Sequence, residues 1–224
     1  MIDIIINDMF GRSNTLQKYL TRVTKYDRIL EAIVKDKKDF SKIKLPSEDE
    51  EVLVNISCNM NIYTNRLSDI LATVNRKKIN KIYVIIAPYF VTNYMCITKI
   101  ENSTGYVSGE KAQIGWLDLV AVRNFIGSYK AILTLTQLQN ISKIVENLQT
   151  DLMFCDSYFI KKSCGIVDSM PGNIRKIEVY PIYSNMHPWT EEENDMQFQM
   201  YCNYIKKSTK RRILFEHEGD FVMI

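Results

Sequence analysis

The run Val52-Leu53-Val54-Asn55-Ile56 is the clearest strand signal in the chain. It is short, rich in β-branched residues and bounded by polar residues, which is typical of a strand buried in a parallel sheet. Two similar apolar runs occur elsewhere in the N-terminal half, at Ile2–Ile6 and at Ile82–Ile86. We therefore predict three buried strands within the first 86 residues.

Helical patterns separate these strands. Ser13-Asn14-Thr15 can cap a helix whose apolar positions, from Leu16 to Val23, follow a period of 3.6 residues. A second apolar pattern starts at Leu67 and ends in the basic run 76–78. Residues 26–34 fit either a short strand or a continuation of the first helix. This alternation predicts an α/β fold with a mostly parallel sheet flanked by helices.

The second half of the chain gives weaker patterns. We predict the following elements there: a loop at 102–105, helices at 116–125, 141–148 and about 190–207, and strands at 131–135, 176–180 and 213–215. No internal repeat or linker marks a boundary. We predict an α/β domain over residues 1–105 and an α+β C-terminal extension, packed on it, over residues 106–224.

The composition narrows the class of protein. The chain has 224 residues, a net charge of +3 and 46% apolar residues, but no run of 18 apolar residues. The acidic start of the sequence lacks the basic segment of a signal peptide. Five cysteines without a CxxC pair fit a reducing compartment and not a zinc site. We expect a soluble, intracellular protein without membrane contact, metal or cofactor.

The order and spacing of segments in residues 2–86 resemble the resolvase/invertase family of serine recombinases. The likeness rests on residues 16–31, which include Asp27-Arg28-Ile29-Leu30-Glu31, and on residues 49–54 and 65–83. The resemblance implies a resolvase-like catalytic domain that forms dimers. Abundant Ile, Lys, Asn, Tyr and Met also resemble the residue usage of large cytoplasmic DNA viruses, so the resemblance points to a poxvirus group of such proteins.

The residues that perform the reaction of the resembled family are missing. Those enzymes attack a DNA phosphate with a serine that follows an arginine near the end of the first strand, where this chain has Asn7-Asp8-Met9-Phe10. A second motif supplies two phosphate-binding arginines, and the corresponding residues 57–63 contain no cation. The resemblance therefore implies an inactive enzyme homologue without catalytic residues, which binds nucleic acid or protein in the infected cell.

Two alternatives remain open. A shifted loop could place Ser13 beside Arg12 as a nucleophile, which would make the chain an active DNA strand-cleaving enzyme. Residues 52–90 and 127–154 also resemble the N-terminal half of phosphoribosyl-pyrophosphate synthetases, again without the functional residues of that family. The second alternative implies a degenerate scaffold protein of the synthetase type.

The densest basic cluster is the candidate binding site. Lys206, Lys207, Lys210, Arg211 and Arg212 place five cations within seven residues. Such a cluster is typical of a nucleic-acid-binding patch or a nuclear localisation signal, and equally of a solvated helix end. We predict a homodimer with weak nucleic-acid binding, a host or viral protein partner, and a location in the host nucleus, nucleolus or cytoplasm.

Overall fold

A computed structural model describes the chain apart from residues 9–12, 35–49, 59–61, 63–65, 73–78, 87–88, 93–96, 108–109, 137–150, 173, 187–193 and 218–219. The described elements follow one another in this order: β1 (Ile2–Asp8), α1 (Ser13–Val23), β2 (Arg28–Val34), β3 (Val52–Cys58), α2 (Leu67–Ile70), β4 (Ile79–Ile86), β5 (Tyr89–Thr92), β6 (Lys99–Val107), β7 (Glu110–Asp118), α3 (Leu119–Ile126), β8 (Ile132–Leu135), β9 (Leu152–Ile160), β10 (Gly165–Val167), β11 (Val179–Met186), α4 (Asn194–Thr209), β12 (Ile213–His217) and β13 (Asp220–Met223).

Two compact units divide the chain. The first comprises Met1–Ile86, Ile126–Thr136 and Arg211–Ile224, and the second comprises Ala87–Phe125 and Gln137–Lys210. The units are therefore interleaved along the sequence, whereas we predicted a single boundary after residue 105. The difference arises because β8 and β12, which belong to the predicted extension, complete the sheet of the first unit.

The first unit contains a seven-stranded sheet in the order β13-β12-β8-β4-β1-β3-β2. All neighbouring strands are parallel except β13, which runs antiparallel to β12. The predicted α/β fold with a largely parallel sheet is thus confirmed, and residues 28–34 form a strand. The resolvase-like details of the fold stay a prediction.

Helix α1 covers one face of this sheet. Its residues Leu16 and Leu20 are buried, and Tyr19 packs against the same apolar cluster. The spacing of three to four residues places these side chains on one side of the helix, as the sequence pattern predicted. Their burial anchors α1 directly after the carboxyl end of β1, which positions the helix beside the polar residues described below.

The second unit is built around β7 and β9, which are parallel neighbours. Strands β5 and β6 pair antiparallel with β7, while β10 and β11 pair antiparallel with β9. A small core joins α3 to β9 through Val120, Cys155 and Tyr158. The mixed pairing explains why the sequence patterns of this half were weak, since antiparallel strands covered on one face lack long apolar runs.

Three predicted elements of the second unit were wrong. Residues 102–105 lie within β6 and not in a loop, and Trp116–Asp118 end β7, so α3 begins only at Leu119. Residues 174–176 form a short 3₁₀ helix, so the predicted strand begins at Val179. The predicted helix at 141–148 lies outside the described residues.

None of the helices that the structure describes is both long enough and apolar enough to cross a membrane.

Candidate functional site

One face of the first sheet changes from apolar to polar toward the carboxyl ends of its strands. Apolar side chains from six strands form a cluster with α1 on this face: Ile5, Leu53, Tyr83, Ile85, Ile132, Leu214 and Phe221. Side chains two positions further along a strand return to the same face. Asn7, Asn55 and Thr134 therefore lie on it as well, with exposed fractions of 0%, 6% and 0%.

Strand register places two of these polar residues at one level. Ile6 pairs with Val84, so Asn7 is level with Ile85, and Ile85 pairs with Thr134. Because neighbouring strands are about 4.8 Å apart, the backbones of Asn7 and Thr134 are roughly 10 Å apart. The side chain of Ile85 lies between them on the same face.

A relay of side-chain amides connects Asn7 to the edge strand β2. Asn7 Nδ2 donates to Asn55 Oδ1 at 2.9 Å, and Asn55 Nδ2 donates to Gln17 Oε1 at 2.6 Å. Gln17 Nε2 in turn donates to Glu31 Oε1 at 3.4 Å. We call these four residues the amide relay. It crosses from β1 through β3 and α1 to β2, and its far end is an exposed carboxylate.

Among the described residues, two buried oxygen atoms on this face have no hydrogen-bond partner. They are Asn7 Oδ1 at one end of the amide relay and Thr134 Oγ1 on β8. A buried polar atom without a partner costs about 1–3 kcal/mol, and such atoms are uncommon in native proteins. The two atoms lie at one level of the sheet, and both side chains are fully buried.

The topology of the sheet singles out the same edge. The connection after β1 leads toward the β2 edge, whereas β8, the next strand after β4 in this sheet, lies toward the β13 edge. In open parallel sheets, ligands bind outside the carboxyl ends of strands where the connections diverge in this way. That position falls between β1 and β4, next to Asn7.

An open groove of about 420 Å³ runs along α1 and is lined by Asn14, Gln17, Lys18, Thr21 and Arg22. Gln17 belongs to both the groove and the amide relay. Arg22 Nη2 binds Asp220 Oδ1 at 2.8 Å, and its guanidinium lies 5.6 Å from the ring centre of Tyr19. This pair is exposed, so we expect it to contribute little to stability.

Another polar cluster lies at the amino end of the same sheet. The buried carboxylate of Asp3 accepts hydrogen bonds from Tyr26 Oη at 3.0 Å, from Asn80 Nδ2 at 2.9 Å and from the Lys81 backbone N–H at 3.1 Å. Burial, and then the charge of Asp3, raise the pKa of the Tyr26 phenol well above its usual range. All of these hydrogen bonds join parts of one unit, which indicates a structural role.

The predicted nucleophile and its neighbouring arginine lie mostly outside the described residues. Ser13 begins α1, but its side chain and the whole of Arg12 are not described. A DNA-cleaving reaction through Ser13 therefore stays a prediction. The structure does place Asn7, near the position where the resembled family has its serine, at the buried end of the amide relay.

The basic cluster is divided between two environments. Lys206 and Lys207 are exposed in the last turn of α4, and exposed Lys210 follows with a left-handed φ of 54° while its N–H donates to the Lys206 carbonyl. Arg211 Nη2 donates to the Gly127 carbonyl at 2.7 Å, whereas Arg212 is exposed. Of the five predicted cations, Arg211 thus forms a hydrogen bond with a backbone carbonyl of the fold.

A buried carboxylate in the second unit escaped the sequence analysis. Asp118, with 0% of its surface exposed, accepts the Ala121 N–H at 2.9 Å and the Tyr158 hydroxyl at 2.5 Å. It therefore caps α3 and binds β9 at the same time. An aspartate three residues before a helical N–H is a signal for a helix cap. This signal was missed because the predicted helix began at residue 116, before Asp118.

A partly buried arginine completes this region. Arg123 Nη2 donates to the carbonyls of Asp156 and Asp168, at 2.6 and 2.9 Å, and Nη1 donates to Ser208 Oγ at 2.8 Å. The Asp156 carboxylate also accepts the Tyr204 hydroxyl. The guanidinium thus links α3, β9 and α4. It donates to carbonyl and hydroxyl oxygens that would otherwise need water as a hydrogen-bond partner. These contacts indicate a structural role.

The buried cysteines should be chemically inert. Burial, followed by the charge of Asp118, raises the pKa of Cys155 well above its usual range, and burial raises the pKa of Cys202 to about 12. We expect iodoacetamide at pH 8 to modify exposed Cys164 while leaving Cys155 and Cys202 intact, because the thiolate is the reactive form. Peptide mapping by mass spectrometry checks this. Modification of Cys202 at the rate of Cys164 would contradict the buried placement.

Within the described ranges, no group of three or more His, Cys, Asp or Glu residues is placed to hold a metal ion. Asn7, Asn55 and Thr134, the described polar side chains on the face that α1 covers, carry two amides and a hydroxyl. Such groups act as hydrogen-bond donors and acceptors.

Comparison with known proteins gives a partial similarity. No protein-family model matches the chain. The chain is 26% identical over 129 residues to a protein named adenylosuccinate synthetase from Christiangramia forsetii. The match covers 54% of this chain but only 29% of the length of the synthetase.

Proposed function

We propose that this chain is a non-catalytic protein that binds a purine nucleoside or nucleotide at the carboxyl edge of its first sheet. The observation that carries the proposal is the pair of buried, unpartnered oxygens, Asn7 Oδ1 and Thr134 Oγ1, at one level of that edge. The similarity to a protein named adenylosuccinate synthetase supports the choice of a purine.

Among the side chains that the structure describes on this face, the chemistry favours binding over catalysis. Asn7, Asn55 and Thr134 carry amide and hydroxyl groups, which do not take up or release protons near neutral pH. General acid–base catalysis needs a group whose pKa lies near the working pH. Neutral groups that fix a planar ligand by hydrogen bonds are, in contrast, what small-molecule sites contain.

This proposal shares its non-catalytic character with the prediction drawn from the recombinase resemblance. The serine recombinase relation itself, the poxvirus group and the homodimer stay predictions, as does the alternative relation to phosphoribosyl-pyrophosphate synthetases. The two proposals differ in the ligand, since the recombinase resemblance implied nucleic acid or protein. A small purine as ligand is therefore the feature that separates them.

Calorimetric titration tests the proposed function. We expect adenosine or AMP to bind the purified chain with a dissociation constant on the order of 100 µM, because few contacts contribute. Asn7→Ala should weaken binding at least about tenfold, while Lys162→Ala, an exposed change in the second unit, should leave it unchanged. Incubation of the chain with substrates of the synthetase reaction should give no adenylosuccinate. Absence of binding by any purine would refute the proposal.

Three exposed lysines favour a second candidate function, weak nucleic-acid binding. Lys206, Lys207 and Lys210 lie at the end of α4, where their exposed side chains can approach phosphates. The slope of log affinity against log salt concentration measures the number of phosphate contacts. Each contact that is lost reduces this slope by about one.

The corresponding prediction concerns the variant with Lys206, Lys207 and Lys210 changed to alanine. We expect its affinity for single-stranded DNA to fall and its salt slope to decrease by roughly two to three units. Arg211→Ala serves as the contrasting variant, because it removes a hydrogen bond to Gly127 and should lower stability more than binding. Fluorescence anisotropy at several salt concentrations measures both. An unchanged slope in the triple variant would identify the cluster as a solvated helix end.

A further inference from the structure

A row of three apolar side chains is exposed on the sheet of the second unit. Phe159 on β9 pairs with Ile166 on β10 and with Tyr180 on β11, and directly paired residues share a face. Ile166 is 69% exposed, Tyr180 is 47% exposed and Phe159 between them is partly buried. Tyr158, the preceding residue of β9, is buried in the core with α3, so alternation turns the row to the other face. We call Phe159, Ile166 and Tyr180 the exposed row.

Helix α4 covers the neighbouring part of the same face. Ser184 and Tyr180 lie four residues apart on β11, so their side chains are on one face. Ser184 pairs with Phe154, whose ring centre is 4.6 Å from that of Tyr204 on α4. The exposed row therefore occupies the part of the face that follows α4 along β9. Within the row, the ring centres of Phe159 and Tyr180 are 6.5 Å apart.

The end of α4 brings positive charge to one side of the exposed row. Ser208, in the last turn of α4, donates to the Asp156 carboxylate at 3.3 Å. Phe159 lies three residues further along β9, roughly 10 Å from Asp156. The exposed lysines of this helix end lie within two residues of Ser208: Lys206, Lys207 and Lys210.

Further lysines lie at the opposite side of the exposed row. Lys161 follows Phe159 on the same face and forms an ion pair with Glu178 at 2.7 Å, and Lys162 and Lys176 are exposed in short 3₁₀ helices. Among the described residues around the row, these lysines and those of α4 make six exposed cations, against the two exposed carboxylates of Glu178 and Asp168. An excess of positive charge on both sides of two exposed rings favours a partner that combines negative charge with flat rings.

We propose that the exposed row is a stacking platform for the bases of single-stranded nucleic acid, whose phosphates contact the lysines on its two sides. This inference rests on the second candidate function and adds the surface that contacts the bases. Every base has an aromatic face, so stacking on Phe159 and Tyr180 requires no particular sequence. A duplex keeps its bases paired and stacked on one another and does not offer them to the rings. One stacked base contributes too little for a mononucleotide to bind at micromolar concentration, so the platform requires a strand.

The variants Tyr180→Leu and Tyr180→Phe form the matched pair that tests the platform. The leucine variant keeps an apolar side chain but removes the ring, whereas the phenylalanine variant removes only the hydroxyl. Tyr180 is almost half exposed, so the fold should tolerate both changes. Phe159→Leu removes the other ring. Circular dichroism establishes that each variant is folded before its binding is compared.

The measurement is the affinity for a single-stranded DNA of about ten nucleotides, followed by fluorescence anisotropy at several salt concentrations. We expect Tyr180→Leu and Phe159→Leu to bind about fivefold more weakly, or weaker still, at every salt concentration, because stacking is lost while the phosphate contacts remain. The slope of log affinity against log salt concentration should therefore stay that of the natural chain, in contrast to the slope of the lysine variant. Tyr180→Phe should bind like the natural chain, and a duplex of the same sequence should bind more weakly than the single strand.

Two results would overturn the inference. If the natural chain binds the single strand but Tyr180→Leu binds it equally well, or if the duplex binds as tightly as the single strand, the exposed row does not stack bases. Nucleic-acid binding through the lysines then stands without it. If the natural chain binds no single-stranded DNA, both the inference and the second candidate function fail, whereas the proposed purine site in the first unit is unaffected.

Discussion

Replacing Asp118 with alanine is expected to lower the free energy of unfolding by about 3 kcal/mol. The change removes the cap of α3, which is worth about 1 kcal/mol, and leaves the buried Tyr158 hydroxyl without its acceptor, which costs about 1–3 kcal/mol. Asp118 has no exposed surface, so water cannot replace the lost carboxylate without further rearrangement. Urea denaturation followed by circular dichroism measures the loss.

Two related variants separate the contributions of Asp118. Tyr158→Phe removes only the phenol donor and should cost about 1 kcal/mol, since the carboxylate keeps its bond to the Ala121 N–H. The double variant with Asp118→Ala should lose less than the sum of the two single losses, because each single change breaks the same hydrogen bond. A fully additive pair, or a loss below about 1 kcal/mol for Asp118→Ala, would contradict the buried contact.

The second large effect is expected for Asp3→Ala in the first unit. This change leaves the donors of Tyr26, Asn80 and the Lys81 backbone without their shared acceptor, and we expect a loss of about 2–3 kcal/mol. Asp3 joins β1 to β4 and to the segment before β2, so the effect should appear as a lower midpoint of unfolding for the first unit.

Conservative variants at the same cluster provide the comparison for Asp3→Ala. Asp3→Asn keeps one acceptor oxygen and should be milder, and Tyr26→Phe, which removes one donor, should cost about 1 kcal/mol. Equal losses in Asp3→Ala and Tyr26→Phe would mean that the bonds to Asn80 and Lys81 contribute nothing. Thermal unfolding at pH 7 is sufficient to rank the three variants.

The strands of the first sheet could be predicted because buried parallel strands are continuous apolar runs. Val52–Ile56 and Ile82–Ile86 are such runs, and both lie within strands of the sheet. Their neighbours could not be predicted in the same way. Strand β8 pairs with β4 across about 50 intervening residues, and no local pattern encodes a partner at that distance.

The helix predicted at residues 116–125 shows a different limit. Trp116 and Leu117 are buried in a strand, and Leu119 and Val120 are buried in the helix that follows. A short apolar run looks the same in both kinds of element, so periodicity alone could not find the junction. The capping carboxylate of Asp118 marks it.

The candidate site is the part of the structure that could least be predicted from the sequence. The sequence marks Asn7 only as a residue at the position where the resembled family has its catalytic serine, and Asn55 only as part of a strand. Their hydrogen bond joins positions 48 residues apart and depends on the parallel register of β1 and β3. Nothing in the spacing of Asn7, Gln17, Glu31 and Asn55 indicates a relay, because each residue lies on a different element.

Titration of isotope-labelled protein with adenosine, followed through the side-chain amide resonances, tests the proposed binding site most directly. We predict saturable shifts of the Nδ2 resonances of Asn7 and Asn55, with Asn7→Ala removing the shift at Asn55 and weakening the binding. Resonances of Asn203, an exposed residue on α4, should not move. Saturable shifts that spare Asn7 and Asn55, or no shifts at millimolar adenosine, would contradict a purine site at the carboxyl edge of the first sheet.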